Sequence, residues 1–127
     1  MLRAYIDDTR SKEAVPVLCT SIVRRHFDAG GNLINTHGDY IAATREVAAE
    51  TGTALIDMEA GTRQLVTEMG QEGSKSLFMF IKPGEYPGRP DGVADSTHLN
   101  NNGVHKVAEL FVEGVMKLEL PLSEYLK

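Results

Sequence analysis

The stretch Thr53-Ala54-Leu55-Ile56-Asp57-Met58 is a short, unbroken apolar run that ends beside an acid. Six residues suit a strand better than a helix, and continuous rather than alternating apolar character is what a strand covered on both faces of a parallel sheet shows. Just upstream, Asp39 is a candidate N-cap, and Ile41, Thr44, Val47 and Ala48 fall on one face before Gly52 supplies a stop. That spacing predicts a helix from about Tyr40 to Glu50. Further upstream, Ala14-Val15-Pro16-Val17-Leu18-Cys19-Thr20 repeats the strand signature. Pro16 is tolerated at a strand's first positions, so a strand is predicted over Val17 to Thr20, with Cys19 a small core residue. Downstream, Ala60, Leu65, Val66 and Met69 predict a helix between Glu59 and Met69, closed by Gly70 and Gly73. Strands that alternate with helices define an α/β domain with a parallel sheet between helical layers.

Outward from this centre the elements become amphipathic. Leu2, Tyr5, Ile6 and Thr9 give a helical stripe from Met1 to about Lys12, with no capping residue before it, which suggests a chain entered midway. Leu77 to Ile81 is a further apolar run. After it, Lys82 to Gly92 packs three prolines and three glycines into eleven residues, a rigid surface loop. The last helix carries Val104, Val107, Ala108, Phe111, Val112, Val115 and Leu118 on one stripe, is capped by Asn100 or Asn101, and leads to a short apolar tail, Leu120-Pro121-Leu122. Two parallel strands with flanking helices make an incomplete sheet, because they leave a bare backbone edge. Either further strands or a second copy, as a homodimer, should cover it.

Composition narrows the function. With 127 residues, 42% hydrophobic and 24% charged, the chain is one domain's worth of sequence, and its single cysteine has no partner. Thirteen Lys and Arg against 18 Asp and Glu give a net charge of -5, which disfavours a nucleic-acid partner. No apolar stretch is long enough to span a membrane, since Ala14 to Ile22 is interrupted by Pro16 and Thr20. The first residues carry no signal-peptide pattern. No dinucleotide fingerprint, phosphate-binding loop or EF-hand loop occurs, so no cofactor is expected. Asp91, Asp95, His98 and His105 match no closed zinc spacing, so no metal is expected either. A flavodoxin-like small-ligand domain would need a bound cofactor.

The sharpest local feature is Asp95-Ser96-Thr97-His98, between the Pro/Gly loop and the last helix. A carboxylate and an imidazole three residues apart on one tight turn can meet, with Asp95 accepting the Nδ1 proton and leaving Nε2 as a base. Spacing alone also fits a capping Asp beside a solvated His. Among the serines, Ser11, Ser21, Ser74, Ser76, Ser96 and Ser123, Ser21 follows the first strand, where α/β ligand sites form, and Ser96 lies inside the turn. Neither has a recognisable nucleophile elbow.

The block Asp95-Ser96-Thr97-His98-Leu99-Asn100, followed by Gly103, Val107 and Ala108, resembles the C-terminal block of the SGNH (GDSL-type) hydrolases, in which an Asp-x-x-His pair precedes the final helix. Val17 to Phe27, Thr36-His37-Gly38-Asp39-Tyr40 and Leu55-Ile56-Asp57-Met58 are similar to the rhamnogalacturonan acetylesterase branch in particular. The resemblance covers nearly the whole chain but only the second half of that family's domain. It implies a flavodoxin-like three-layer α/β/α sandwich whose last two strands are present over 1–127. It implies that Asp95 orients His98, and that His98 is general base and acid in a serine ester hydrolase acting on acetylated polysaccharide, secreted or periplasmic when complete. Arg24 and Arg25 could then meet an anionic sugar, or simply lie in a solvated loop.

The family's Gly-Asp-Ser nucleophile motif and its oxyanion Gly and Asn blocks do not occur among these residues. The nearest string, Gly38-Asp39-Tyr40, has Tyr where Ser belongs. Without nucleophile and oxyanion donors the isolated chain is expected to be inactive. The competing expectation is a stand-alone, non-catalytic α/β module that binds a partner.

Overall fold

The computed structural model describes Met1 to Leu126; of the domain expected over 1–127, Lys127 lies outside the described residues. The described residues form four α-helices and two small sheets: α1 (Leu2–Ser11), β1 (Val17–Cys19), α2 (Tyr40–Thr51), β2 (Ala54–Ile56), α3 (Met58–Gly73), β3 (Phe78–Ile81), β4 (Val93–Leu99) and α4 (Asn101–Lys117). Short 3-10 turns follow α3 at Ser74–Leu77 and α4 at Pro121–Tyr125.

The strand-helix-strand unit is as expected. β1 and β2 are parallel, with Val17 opposite Ala54 and Cys19 opposite Ile56, and α2 crosses between them before ending at Gly52 in the left-handed region. Three details differ. Asp39 occupies the N-cap position of α2, but its side chain makes no capping bond. β2 is shorter than its apolar run, because Asp57 instead caps α3 through Ala60 N–H and Met58 is already helical. β1 is not covered on both faces: Val17 and Cys19 are exposed, and among the described residues no strand pairs with its outer edge. α3 leaves helical geometry at Gly70, where the sequence stop was expected, and one more turn follows.

The second sheet was not read from the sequence. β3, the apolar run at 78–81, pairs antiparallel with β4, and the Pro/Gly loop joins them through turns closed by Gly84 N–H to Pro90 O (2.9 Å) and Arg89 N–H to Tyr86 O (2.9 Å). The described residues therefore hold four strands rather than two. β4 escaped notice because Ala94, Asp95, Ser96, Thr97 and His98 carry neither alternation nor apolar continuity.

Two clusters make the core. One joins Val23, Val66, Leu77 and Phe78, tying the loop after β1 and α3 to the hairpin; the other joins Ile56, Met58, Val115 and Leu120 under α4. α4 sits close on both. A Cβ at Gly103 would fall 2.0 Å from Leu77 O, and one at Gly114 would fall 2.5 Å from an Ile56 methyl, so only glycine permits this approach. Only part of the expected α4 stripe is buried. Val115 is fully enclosed, whereas Val104, Val112 and Leu118 remain exposed. α1 lies against α2, held by Ile6 and by Arg10, whose guanidinium reaches Thr51 O (2.9 Å) at the C-terminus of α2.

Candidate active site

The register of the hairpin creates the site. Phe78 and Met79 are consecutive on β3, but their partners on β4 are Leu99 and Asp95. Ser96, Thr97 and His98 thus have no ladder partner and form a wide bulge, the kind of irregularity that re-aims side chains. The tight turn expected from the sequence is this bulge. Asp95 closes it: Oδ1 accepts the backbone N–H of Thr97 (2.7 Å) and of His98 (2.9 Å), while Oδ2 lies 2.7 Å from His98 Nδ1.

These contacts fix the protonation pattern. The hydrogen bonds from the His98 backbone N–H, the His98 ring and the Thr97 N–H lower the Asp95 carboxyl to about 2. An ionised carboxylate only accepts, so Nδ1 carries the hydrogen, and Nε2 is the ring nitrogen that holds the lone pair in the neutral imidazole. The His98 side chain is 78% exposed, against 31% for Asp95, so the ring stands in solvent on a carboxylate anchored from behind. Such an imidazole can take a proton at Nε2 from an approaching hydroxyl and return it.

Asn100 holds the C-terminal side of the bulge. Its Oδ1 accepts Gly103 N–H (2.9 Å) as the cap of α4, its Nδ2 donates to Ser76 O and Phe78 O (both 2.9 Å), and its backbone N–H reaches Leu77 O (3.1 Å). Of the two asparagines expected as caps, Asn100 is the one used. On the other side, the loop after β1 pairs with the bulge through Arg25 N–H to Ser96 O (2.8 Å). The dyad therefore stands beyond the carboxyl end of β1, where α/β folds place ligands.

The other candidates separate clearly. Ser96 is turned toward Arg25 rather than His98, as its place in the turn suggested. Ser21 is exposed, Ser74 is fully buried, and Tyr40 of the Gly-Asp-Tyr string is 81% exposed. His105 and Asp91 are exposed, and no group of three metal-ligating side chains occurs among the described residues. Arg24 is exposed, but Arg25 is 8% exposed, which corrects the solvated-loop expectation for that residue. The sequence carried one missed signal there: Arg25 lies midway between two apolar residues, two positions after Val23 and two before Phe27.

A polar network that sequence reasoning overlooked lies at the carboxyl ends of β1 and β2. Thr20 Oγ1 donates to Asp57 Oδ1 (2.8 Å) and accepts Glu59 N–H (2.8 Å). Arg45 bridges Asp57 and Glu59 at 2.8 and 2.9 Å, and Arg63 closes Glu59 at 2.6 Å. Burial pushes the Asp57 carboxyl up, but the hydrogen bonds from Arg45, Thr20 and Ala60 outweigh it and leave it below the usual carboxylate range. Both acids are saturated by donors, so this network fixes the strand ends and offers no free acid or base.

A four-helix α/β chain with two small sheets and an Asp-His pair before its last helix is consistent with part of an SGNH-type hydrolase fold. Comparison with known proteins carries this further. The chain is a homologue of the rhamnogalacturonan acetylesterase RhgT of Bacillus subtilis (strain 168), 41% identical over 125 residues, which is 98% of this chain and 54% of that protein. It is also 33% identical over 123 residues to the probable rhamnogalacturonan acetylesterase YesY of the same strain, covering 97% of this chain and 52% of that one. The chain thus spans about half the length of the curated relatives it matches. The crystal structure of the Bacillus subtilis protein YxiM matches 94% of this chain and 30% of its own with a TM-score of 0.73 at 24% identity, a likeness of fold. No family model matches the chain.

Proposed function

We propose that this chain supplies the Asp-His part of the active site of a serine carbohydrate esterase that removes acetyl groups from a rhamnogalacturonan-like polysaccharide. The observation that carries the reading is the Asp95 Oδ2 to His98 Nδ1 contact of 2.7 Å, which leaves Nε2 open to solvent. The relatives' printed activity supports the substrate class. In that reaction His98 Nε2 takes the proton of a serine hydroxyl as its oxygen adds to the acetyl carbonyl. The same proton then passes to the departing sugar oxygen, which leaves a free sugar hydroxyl and an acetyl-serine ester. A second cycle with water releases acetate and restores the serine. Asp95 stays ionised and holds the ring in the tautomer that both steps need.

Nucleophile and oxyanion donors come from residues outside these 127, in the N-terminal half of the same domain, so the isolated chain does not hydrolyse esters. The exposed edge of β1 and the exposed Val104, Val112 and Met116 of α4 support a larger domain, since apolar positions on this scale are normally covered. In the 127-residue chain alone, a second copy covers this face. The complete enzyme acts outside the cytoplasm, because a polymeric substrate does not cross the membrane; fractionation of the producing cell checks this.

The reading frame directly upstream of the Met1 codon tests the function. A strand ending in Gly-Asp-Ser, followed by Gly and Asn blocks, is the expected result. An in-frame stop would overturn it and leave a non-catalytic module whose bare edge binds a partner.

A further inference from the structure

Arg25 is a buried cation with no paired carboxylate among the described residues. Enclosing a charge is expensive unless it is fully hydrogen-bonded, and an apolar side chain would fill the same space at lower cost. Its partners are specific. Nε donates to Ser74 Oγ (3.1 Å), NH2 donates to Gln71 O near the end of α3, and NH1 reaches Ser96 Oγ (3.4 Å). The guanidinium also lies over the Phe27 and Phe80 rings, at 5.6 and 5.1 Å from their centres, where the aromatic quadrupole favours a cation. The same residue's backbone N–H holds Ser96 O at 2.8 Å.

Ser96 is the first of the three residues that bulge out of the β3–β4 ladder, Asp95 directly precedes that bulge and His98 is its last residue. Ladder bonds do not fix it. Asn100 holds its C-terminal side, and at its first residue it is held by Arg25, through one main-chain bond and one side-chain contact to Ser96, with the guanidinium anchored in turn on α3 and on two aromatic rings. We infer that Arg25 is a positioning residue: it locks Ser96 and thereby sets the bulge in which Asp95 and His98 meet. Its consequence for catalysis rests on the esterase reading, whereas the geometry it sets can be measured in the chain as it stands.

Arg25 makes no hydrogen bond to Asp95, so its effect on that carboxylate combines the guanidinium charge acting through space with the geometry of the bulge, and Arg25→Lys, which keeps the charge, together with the amide exchange separates the two. The test follows the Asp95 carboxyl by carbon NMR and the Thr97 and His98 amides by hydrogen exchange, in wild type, Arg25→Met, Arg25→Lys and Val115→Ala. The last variant, in the other core cluster, controls for general loss of stability. In Arg25→Met the Asp95 midpoint should rise from about 2 by about one pH unit or more toward its ordinary 3.8. The two amides should exchange roughly tenfold faster or more at equal global stability. Arg25→Lys, which keeps the charge but not the fork, should lie between. Val115→Ala should leave both readouts at wild-type values. If Arg25→Met does not fold, Arg25→Lys decides by the same readouts. An Asp95 midpoint still near 2 with both amides still protected, in whichever variant decides, overturns the inference. A failure of the esterase reading leaves these readouts untouched, so the two are told apart.

Discussion

Replacing Asn100 should loosen the end of the bulge and the start of α4 together. In Asn100→Ala the cap to Gly103 N–H is lost, a change that costs about 1 kcal/mol. Two further bonds disappear from Nδ2. Ser76 O keeps a partner in Asn102 Nδ2 (3.1 Å) and loses little, whereas Phe78 O, in a residue only 1% exposed, is left unpaired for about 1 kcal/mol more. The sum is roughly 2 kcal/mol. Asn100→Ser keeps an acceptor suited to the N-cap and loses only the Nδ2 bonds, so it should cost about 1 kcal/mol. Urea unfolding followed by far-UV circular dichroism separates the variants. With a slope of about 1–3 kcal/mol per molar urea, Asn100→Ala should lower the midpoint by roughly 1 M at unchanged slope, and Asn100→Ser by about half as much. Equal losses for both variants, or a loss under about 0.5 kcal/mol for Asn100→Ala, would refute the assignment of a double role.

Gly103→Ala places a methyl against Leu77 O, and the main chain must retreat; a loss of about 2–3 kcal/mol in the same unfolding assay is expected, while a neutral result would mean that α4 is not so close. The folded-state carboxyl of Asp95 lies below its unfolded value. Its contribution to stability is therefore complete above about pH 4 and disappears as the pH falls toward about 2. Acid titration of Asp95→Asn should accordingly lack part of the pH dependence that wild type has in that window, and identical pH profiles would exclude the contribution. Sedimentation at rising concentration should reveal self-association of the 127-residue chain through the face bordered by β1 and α4; a monomer at every concentration would count against coverage by a second copy.

The parallel half of the fold was legible because its signals are local. The runs at 17–20 and 53–58, the α2 stripe and Gly52 each follow from chain periodicity. The hairpin was not legible, because β4 is held by its register with β3 across an eleven-residue loop and by Asp95 itself, and those are tertiary causes. Apolar continuity overstated the burial of β1 and of part of α4: it reports what a surface is built to meet, and Cys19 and Val104 remain exposed among the described residues. The Asp95-His98 pair was a candidate from its spacing, which fits a capping Asp beside a solvated His equally well; the contact itself depends on the bulge that the β3–β4 register creates. The burial of Arg25 was not legible, because it depends on Phe27, Ser74 and Phe80 converging from three separate segments.

The most direct test of the central claim is a chimera in which this chain replaces the matching 125-residue segment of RhgT, with acetate release from acetylated rhamnogalacturonan as the readout. The account predicts measurable release that falls by about three orders of magnitude or more in His98→Ala. Release that persists undiminished without His98 would contradict it.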